Sequence, residues 1–123
     1  MKKLIEIQSE LKAPKSQYNV FGKYNYRNQE DILEALKPLL LKHECFVNIT
    51  DEIKEINGII FVEATATISD GESVVSTKAQ AGIDINRKGM DIAQSFGSSS
   101  SYARKYALNG LFLIDDTKDA DSM

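Results

Sequence analysis

The chain has 123 residues, 42% of them hydrophobic, and 15 Lys plus Arg set against 18 Asp plus Glu give a formal charge of −3. That length suits one domain whose core can form without disulfides or metal, and the single cysteine, Cys45, excludes an internal disulfide. The longest apolar runs, Ile59 to Val62 and Leu111 to Ile114, fall far short of the ~20 residues of a spanning helix. No signal peptide is visible behind Lys2 and Lys3, so a soluble cytosolic protein, with no membrane partner, is expected.

A net negative charge argues against a nucleic-acid partner, because phosphate binding rests on Lys and Arg. The charge is unevenly spread, however. Residues 12–27 hold Lys12, Lys15, Lys23 and Arg27 with no acid, giving +4, and interleave them with Tyr18, Phe21, Tyr24 and Tyr26. Residues 28–72 carry ten acids against three Lys, giving −7. Residues 73–106 carry five cations against Asp84 and Asp91, giving +3, and residues 107–123 set one Lys against four Asp, giving −3.

In chain order, Leu4, Ile7 and Leu11 lie at helical spacing and predict a short amphipathic helix over Met1 to Lys12, ending before Pro14. Tyr18, Val20, Tyr24 and Tyr26 share a parity around Phe21-Gly22-Lys23, which predicts a short hairpin with glycine supplying the turn. Asn28 is a suitable N-cap, Glu30 and Asp31 suit a first turn, and Ile32, Leu33, Leu36, Leu39 and Leu40 form the apolar stripe of a helix ending near Lys42 and His43. Pro38 inside it predicts a kink.

Asn57-Gly58 and Asp70-Gly71 are hairpin turn signals separated by alternating sequence. Taken as two-residue turns, the first sets Val47, Ile49 and Ile53 opposite Ile68, Ala66 and Val62. The second sets Ile60, Val62, Ala64 and Ala66 opposite Ala81, Ala79, Thr77 and Val75, with Glu63 across from Lys78 on the other face. From Asp91 to Gly110 the pattern is helical again, with a stripe of Ile92, Phe96, Ser99, Ala103, Tyr106 or Ala107, and Gly110 whose small members suit close packing on the alanines of the sheet. Arg104 and Lys105 then fall away from that stripe. The fold expected is α+β, a three-stranded antiparallel β-meander packed by a C-terminal helix (a β-β-β-α core), with an additional helix and a short N-terminal hairpin. Residues 1–114 form the one domain, and 115–123 an acidic, flexible tail.

The segments NVFGKYNYRNQEDILEALKPLL (Asn19 to Leu40) and GMDIAQSFGSSSSYARKYALNGLFLIDDTKDAD (Gly89 to Asp121) resemble the ERF, or essential recombination function, family of phage single-strand annealing proteins. The meander between them sits where that family has its sheet. The resemblance implies an ATP-independent annealing recombinase, related in fold to the eukaryotic annealing proteins, that binds single-stranded DNA as a homo-oligomeric ring or filament. It also implies work beside a phage exonuclease and a host single-strand-binding protein, and family members with a variable C-terminal part beyond the shared core.

A sequence-independent annealer needs cations and hydroxyls that follow phosphates and leave base edges free. Arg104 and Lys105, with Ser101 near the start of the same helix, meet that need, while the plainer reading makes them a solvated face and a cap. In the acid-free segment, Lys23 and Arg27 suit phosphate contact, and Tyr24 and Tyr26 read equally as base-stacking groups or as core residues. Lys78 on the polar sheet face lines the groove or merely pairs with Glu63, and Arg87 and Lys88 at the strand-to-helix turn are outer-rim contacts.

The requirements of an enzyme are mostly absent: GSSSSYARKY is not a nucleotide-binding loop, and His43 and Cys45 read as an end-of-helix histidine and a core cysteine. The cluster Asp115, Asp116, Asp119 and Asp121 lacks the glycine and distal glutamate of a calcium loop, so no cofactor or metal is expected. The alternative class is a non-enzymatic oligomeric interaction module without DNA binding, in which the acidic helix over 28–43 meets basic surface on the next subunit.

Overall fold

Leu4 and Ile7 turn inward from α1 (Lys2–Glu10), and Leu11 and Ala13 carry the same buried face into the segment ahead of Pro14. The computed structural model describes residues 1–86 and 88–114. Strands β1 (Gln17–Asn19) and β2 (Tyr24–Tyr26) form the expected hairpin, but with a different turn. Tyr18 pairs with Asn25 and Asn19 with Tyr24, so Tyr18 faces away from Tyr24 and Tyr26 and the expected common face does not form. The left-handed backbone falls on Lys23 (φ 55°), not on Gly22. Glycine is needed at 22 for space instead, since a Cβ there would lie 2.2 Å from Tyr24 Cε1. Asn19 braces this turn three ways. Its amide donates to the Tyr24 hydroxyl (3.0 Å), its Oδ1 accepts from the Gly22 N–H (3.0 Å), and its carbonyl accepts from the Lys23 N–H (2.8 Å).

Helix α2 (Gln29–His43) opens on a reciprocal cap: the Asn28 side chain accepts from the Asp31 N–H and the Asp31 carboxylate from the Asn28 N–H, each at 2.9 Å. The helix runs unbroken through Pro38, which lies on the exposed side, and ends where Glu44 turns left-handed. The His43 ring sits between two carboxylates of α1, with Nδ1 3.1 Å from Glu6 and Nε2 3.2 Å from Glu10. Next to it the Cys45 thiol donates to the His43 carbonyl at 3.6 Å, and burial pushes that thiol above the ordinary cysteine value. The pair is thus occupied in joining α1, α2 and the first long strand.

Strands β3 (Phe46–Ile56), β4 (Ile59–Ser69) and β5 (Val74–Gly82) make the antiparallel sheet in the order β3-β4-β5. Asn57 and Gly58 both take positive φ and close a two-residue turn, so Val47, Ile49 and Ile53 pair with Ile68, Ala66 and Val62 as expected. The second turn is longer. Ser69 pairs with Val74 across a four-residue loop in which Asp70 Oδ1 accepts from the Glu72 and Ser73 N–H groups (2.9 and 2.7 Å) and Ser69 Oγ accepts from the Gly71 N–H. The register is therefore displaced by two residues: Ala64 pairs with Ala79, Ala66 with Thr77, and Glu63 faces Gln80 instead of Lys78. Because the pleat also repeats every two residues, the buried face is unchanged.

Helix α3 (Ile92–Phe112) starts at a second reciprocal cap between Asp91 and Gln94 and lays Ser99, Ala103 and Ala107 inward. The Ser99 hydroxyl donates to the Gly82 carbonyl (2.8 Å). At Gly110 the approach is so close that a Cβ would lie 2.9 Å from Thr77 Cγ2. Ile92 is exposed and outside the stripe, whereas Leu111 and Phe112 belong to the helix and to the core. Ile7, Ile32, Leu36, Val62, Ile68, Leu108 and Phe112 are the largest fully buried side chains, so one core joins all three helices to the sheet. Among the described residues no helix is long and apolar enough to cross a membrane.

Candidate nucleic-acid interface

The two segments that carry the ERF resemblance meet across a cleft of about 420 Å³. Asn19, Tyr24, Tyr26 and Arg27 supply the hairpin wall, and Asn28, Gln29 and Glu30 the adjoining start of α2. Ser101, Tyr102, Lys105 and Tyr106 face them from α3. The rings come in two pairs: Tyr24 and Tyr26 meet edge to face at 6.1 Å, and Tyr102 and Tyr106, one helical turn apart, lie nearly parallel at 6.4 Å.

Lys105 lies off the inner stripe, as expected, but not in solvent. It is only 9% exposed, with Nζ 5.6 Å from the Tyr106 ring centre, so it is a cleft residue and not part of a solvated helix face. The side of α3 turned from the sheet is walled by the hairpin and the start of α2, which the periodicity of one helix cannot reveal. Arg27 is 7% exposed and its Nε donates to the Ala13 carbonyl at 2.7 Å, fixing the strand-to-helix corner against the end of the N-terminal segment. Tyr24 and Tyr26 are half-buried, with rings on the cleft and the Tyr24 hydroxyl tied to Asn19.

Arg104, expected away from the inner stripe, points to the sheet instead. Its Nε lies 3.1 Å from Asp51 Oδ1 and its Nη2 3.1 Å from Oδ2, and the Ser100 hydroxyl donates to the same carboxylate at 2.6 Å. Asp51 pairs with Ala64, which places it on the face that α3 covers. Burial alone would raise this carboxyl, but the hydrogen bonds from Arg104 and Ser100 and the guanidinium charge outweigh it and hold the group below the usual aspartate value.

The cleft thus gathers Tyr24, Tyr26, Arg27, Ser101 and Lys105, while Lys23, Lys78, Lys88 and Arg104 lie outside its lining. Lys23 is exposed at the hairpin tip and Lys88 in the connection before α3. Lys78 stands on the sheet face opposite α3, 3.7 Å from Glu63, whose carboxyl is held low chiefly by Lys54 at 2.7 Å and also by Gln80. Arg87 and the tail 115–123, with its aspartates, lie outside the described residues. Tyr102 and Tyr106 were legible as an i,i+4 pair in step with Ser101 and Lys105, but nothing local marked Asn19, Gln29 or Glu30 as their neighbours.

Chemically the site offers flat aromatic faces, hydroxyl and amide groups, and two cations, Arg27 and Lys105, against the one carboxylate of Glu30. That combination suits a polyanion bearing planar groups. Among the described residues no group of three His, Cys, Asp or Glu is placed to hold a metal ion.

The model of the ERF superfamily matches residues 1–123. The chain is 59% identical over 120 residues to the Essential recombination function protein of Salmonella phage P22, a match covering 98% of this chain and 58% of that protein. The chain therefore spans less than two-thirds of the length of this curated relative. No solved structure matches. Since the matched span takes in both walls of the cleft and the sheet between them, the chain belongs to the ERF superfamily.

Proposed function

We propose that this chain serves phage recombination by binding single-stranded DNA along the tyrosine-lined cleft and, as a homo-oligomer, annealing complementary strands without nucleotide hydrolysis. The observation that carries the reading is the meeting of the hairpin and α3 across one cleft whose walls hold four tyrosines and Lys105. Membership of the ERF superfamily and the name of the phage P22 relative support it. Lys105 offsets phosphate charge, and ring faces hold bases by one π-face while leaving their pairing edges open to a second strand. A neighbouring subunit continues the path. No bond is made or broken, so the role needs no catalytic group, and the exonuclease and host single-strand-binding protein act before and beside it.

Fluorescence anisotropy of labelled mixed-sequence oligonucleotides across a salt series tests the binding step. Mixing complementary strands without nucleotide tests annealing. The reading expects similar affinity for all sequences, a steep fall with salt, and strand pairing faster than the spontaneous rate. Salt-independent binding, or none by folded and assembled protein, would sink it.

A further inference from the structure

The turn between β1 and β2 displays an aromatic group that the cleft does not use. Phe21 is 99% exposed at the hairpin tip, with Val20 exposed beside it. The turn is stiff: Asn19 makes its three hydrogen bonds across it, and the Tyr24 ring fills the space beside Gly22. Phe21 is thus held out by a braced support. Asn19 and Tyr24, which flank it in sequence, both line the cleft. Lys23 is exposed two residues on, and residues 12–27 contain no acid. A flat apolar ring beside an ammonium group, with no carboxylate in its segment, fits a polyanion with planar groups better than it fits an apolar protein surface.

We infer that Phe21 stacks on a base of single-stranded DNA outside the cleft, with Lys23 on the adjoining phosphate, so that the strand runs from the tyrosine-lined walls over the hairpin tip. The inference rests on the DNA-binding reading and extends it to a contact that reading does not require. Because the ring is fully exposed, its removal leaves the fold intact.

Four variants of the full chain test it. Phe21→Ala and Phe21→Leu should each lose about tenfold in affinity for single-stranded oligonucleotides, and Phe21→Tyr should stay near wild type. The salt slope should not change, because no charge is removed. On an abasic strand of equal length, wild type and Phe21→Ala should bind alike. The sequence has no tryptophan, so Phe21→Trp creates a sole reporter whose emission should be quenched by the oligonucleotide and not by the abasic strand. Wild-type affinity in Phe21→Leu, or unquenched emission while the oligonucleotide is bound, overturns the stacking contact and leaves the cleft reading standing. A blue shift driven by protein concentration alone overturns it in favour of a second copy of the chain. Failure of wild type to bind DNA at all removes both.

Discussion

At Asp51 a carboxylate takes the cation that the sequence offers most openly to phosphate. Its oxygens accept from Arg104 and Ser100, and this joins β3 to α3 on the covered side of the sheet. Asp51→Asn keeps the shape and removes the charge, and should cost about 1 kcal/mol in urea unfolding at pH 7, the scale of a half-exposed charge-assisted contact. The sign of its pH dependence follows from the lowered carboxyl. The reference value is 3.8 and the folded value lies below it, so the contribution is complete above the reference value and is lost as pH falls through the folded one. The stability gap between wild type and Asp51→Asn should therefore close on acidification. A gap that widens towards low pH would show that Arg104 draws its support from another group.

The elements show why some local rules carried through and others did not. Asn57-Gly58 names its turn type because both residues take positive φ, and one register follows. Asp70-Gly71 carries the same signal, but the Asp70 side chain captures two N–H groups and opens the loop to four residues. The buried face survived because the error equalled the pleat repeat, while the pairing of Glu63 with Lys78 became a diagonal contact. Glycines within α3 divide in the same manner. Gly97 has open space around its missing Cβ, so Gly97→Ala should stabilise by about 0.5 to 1 kcal/mol through helix propensity. Gly110 faces Thr77 Cγ2 at 2.9 Å, so Gly110→Ala should lose that gain or destabilise, and Thr77→Ser in the same chain should restore it. Thermal unfolding of the three variants separates propensity from helix–sheet distance. Equal gains at 97 and 110 would mean that α3 rides higher on the sheet.

At the scale of the whole molecule, the charge blocks along the chain located the two segments that form the cleft, but not which charges remain available there. Arg27 is directed to a backbone carbonyl 14 residues back in its own segment and Arg104 to a carboxylate 53 residues away on β3, and neither pairing shows in the local pattern. Lys105, which helical periodicity placed off the inner stripe, is enclosed because the hairpin and the start of α2 wall the other side of α3. Lys78 stands on the far face of the sheet, beside Glu63. On the proposed reading, these two lysines test which surface the strand follows. Lys105→Met keeps the apolar stem and removes the charge, so it should fold normally, weaken binding to all single-stranded sequences alike, and flatten the log–log salt slope by about 0.7. Lys78→Met removes the same charge from the opposite face and should leave affinity and slope as in wild type. Each is read from anisotropy titrations across a salt series, with far-ultraviolet circular dichroism to verify folding. The reverse pattern, a flattened slope in Lys78→Met and an unchanged one in Lys105→Met, would move the strand to the polar face of the sheet. The cleft would then be a joint between elements, and its tyrosines packing groups.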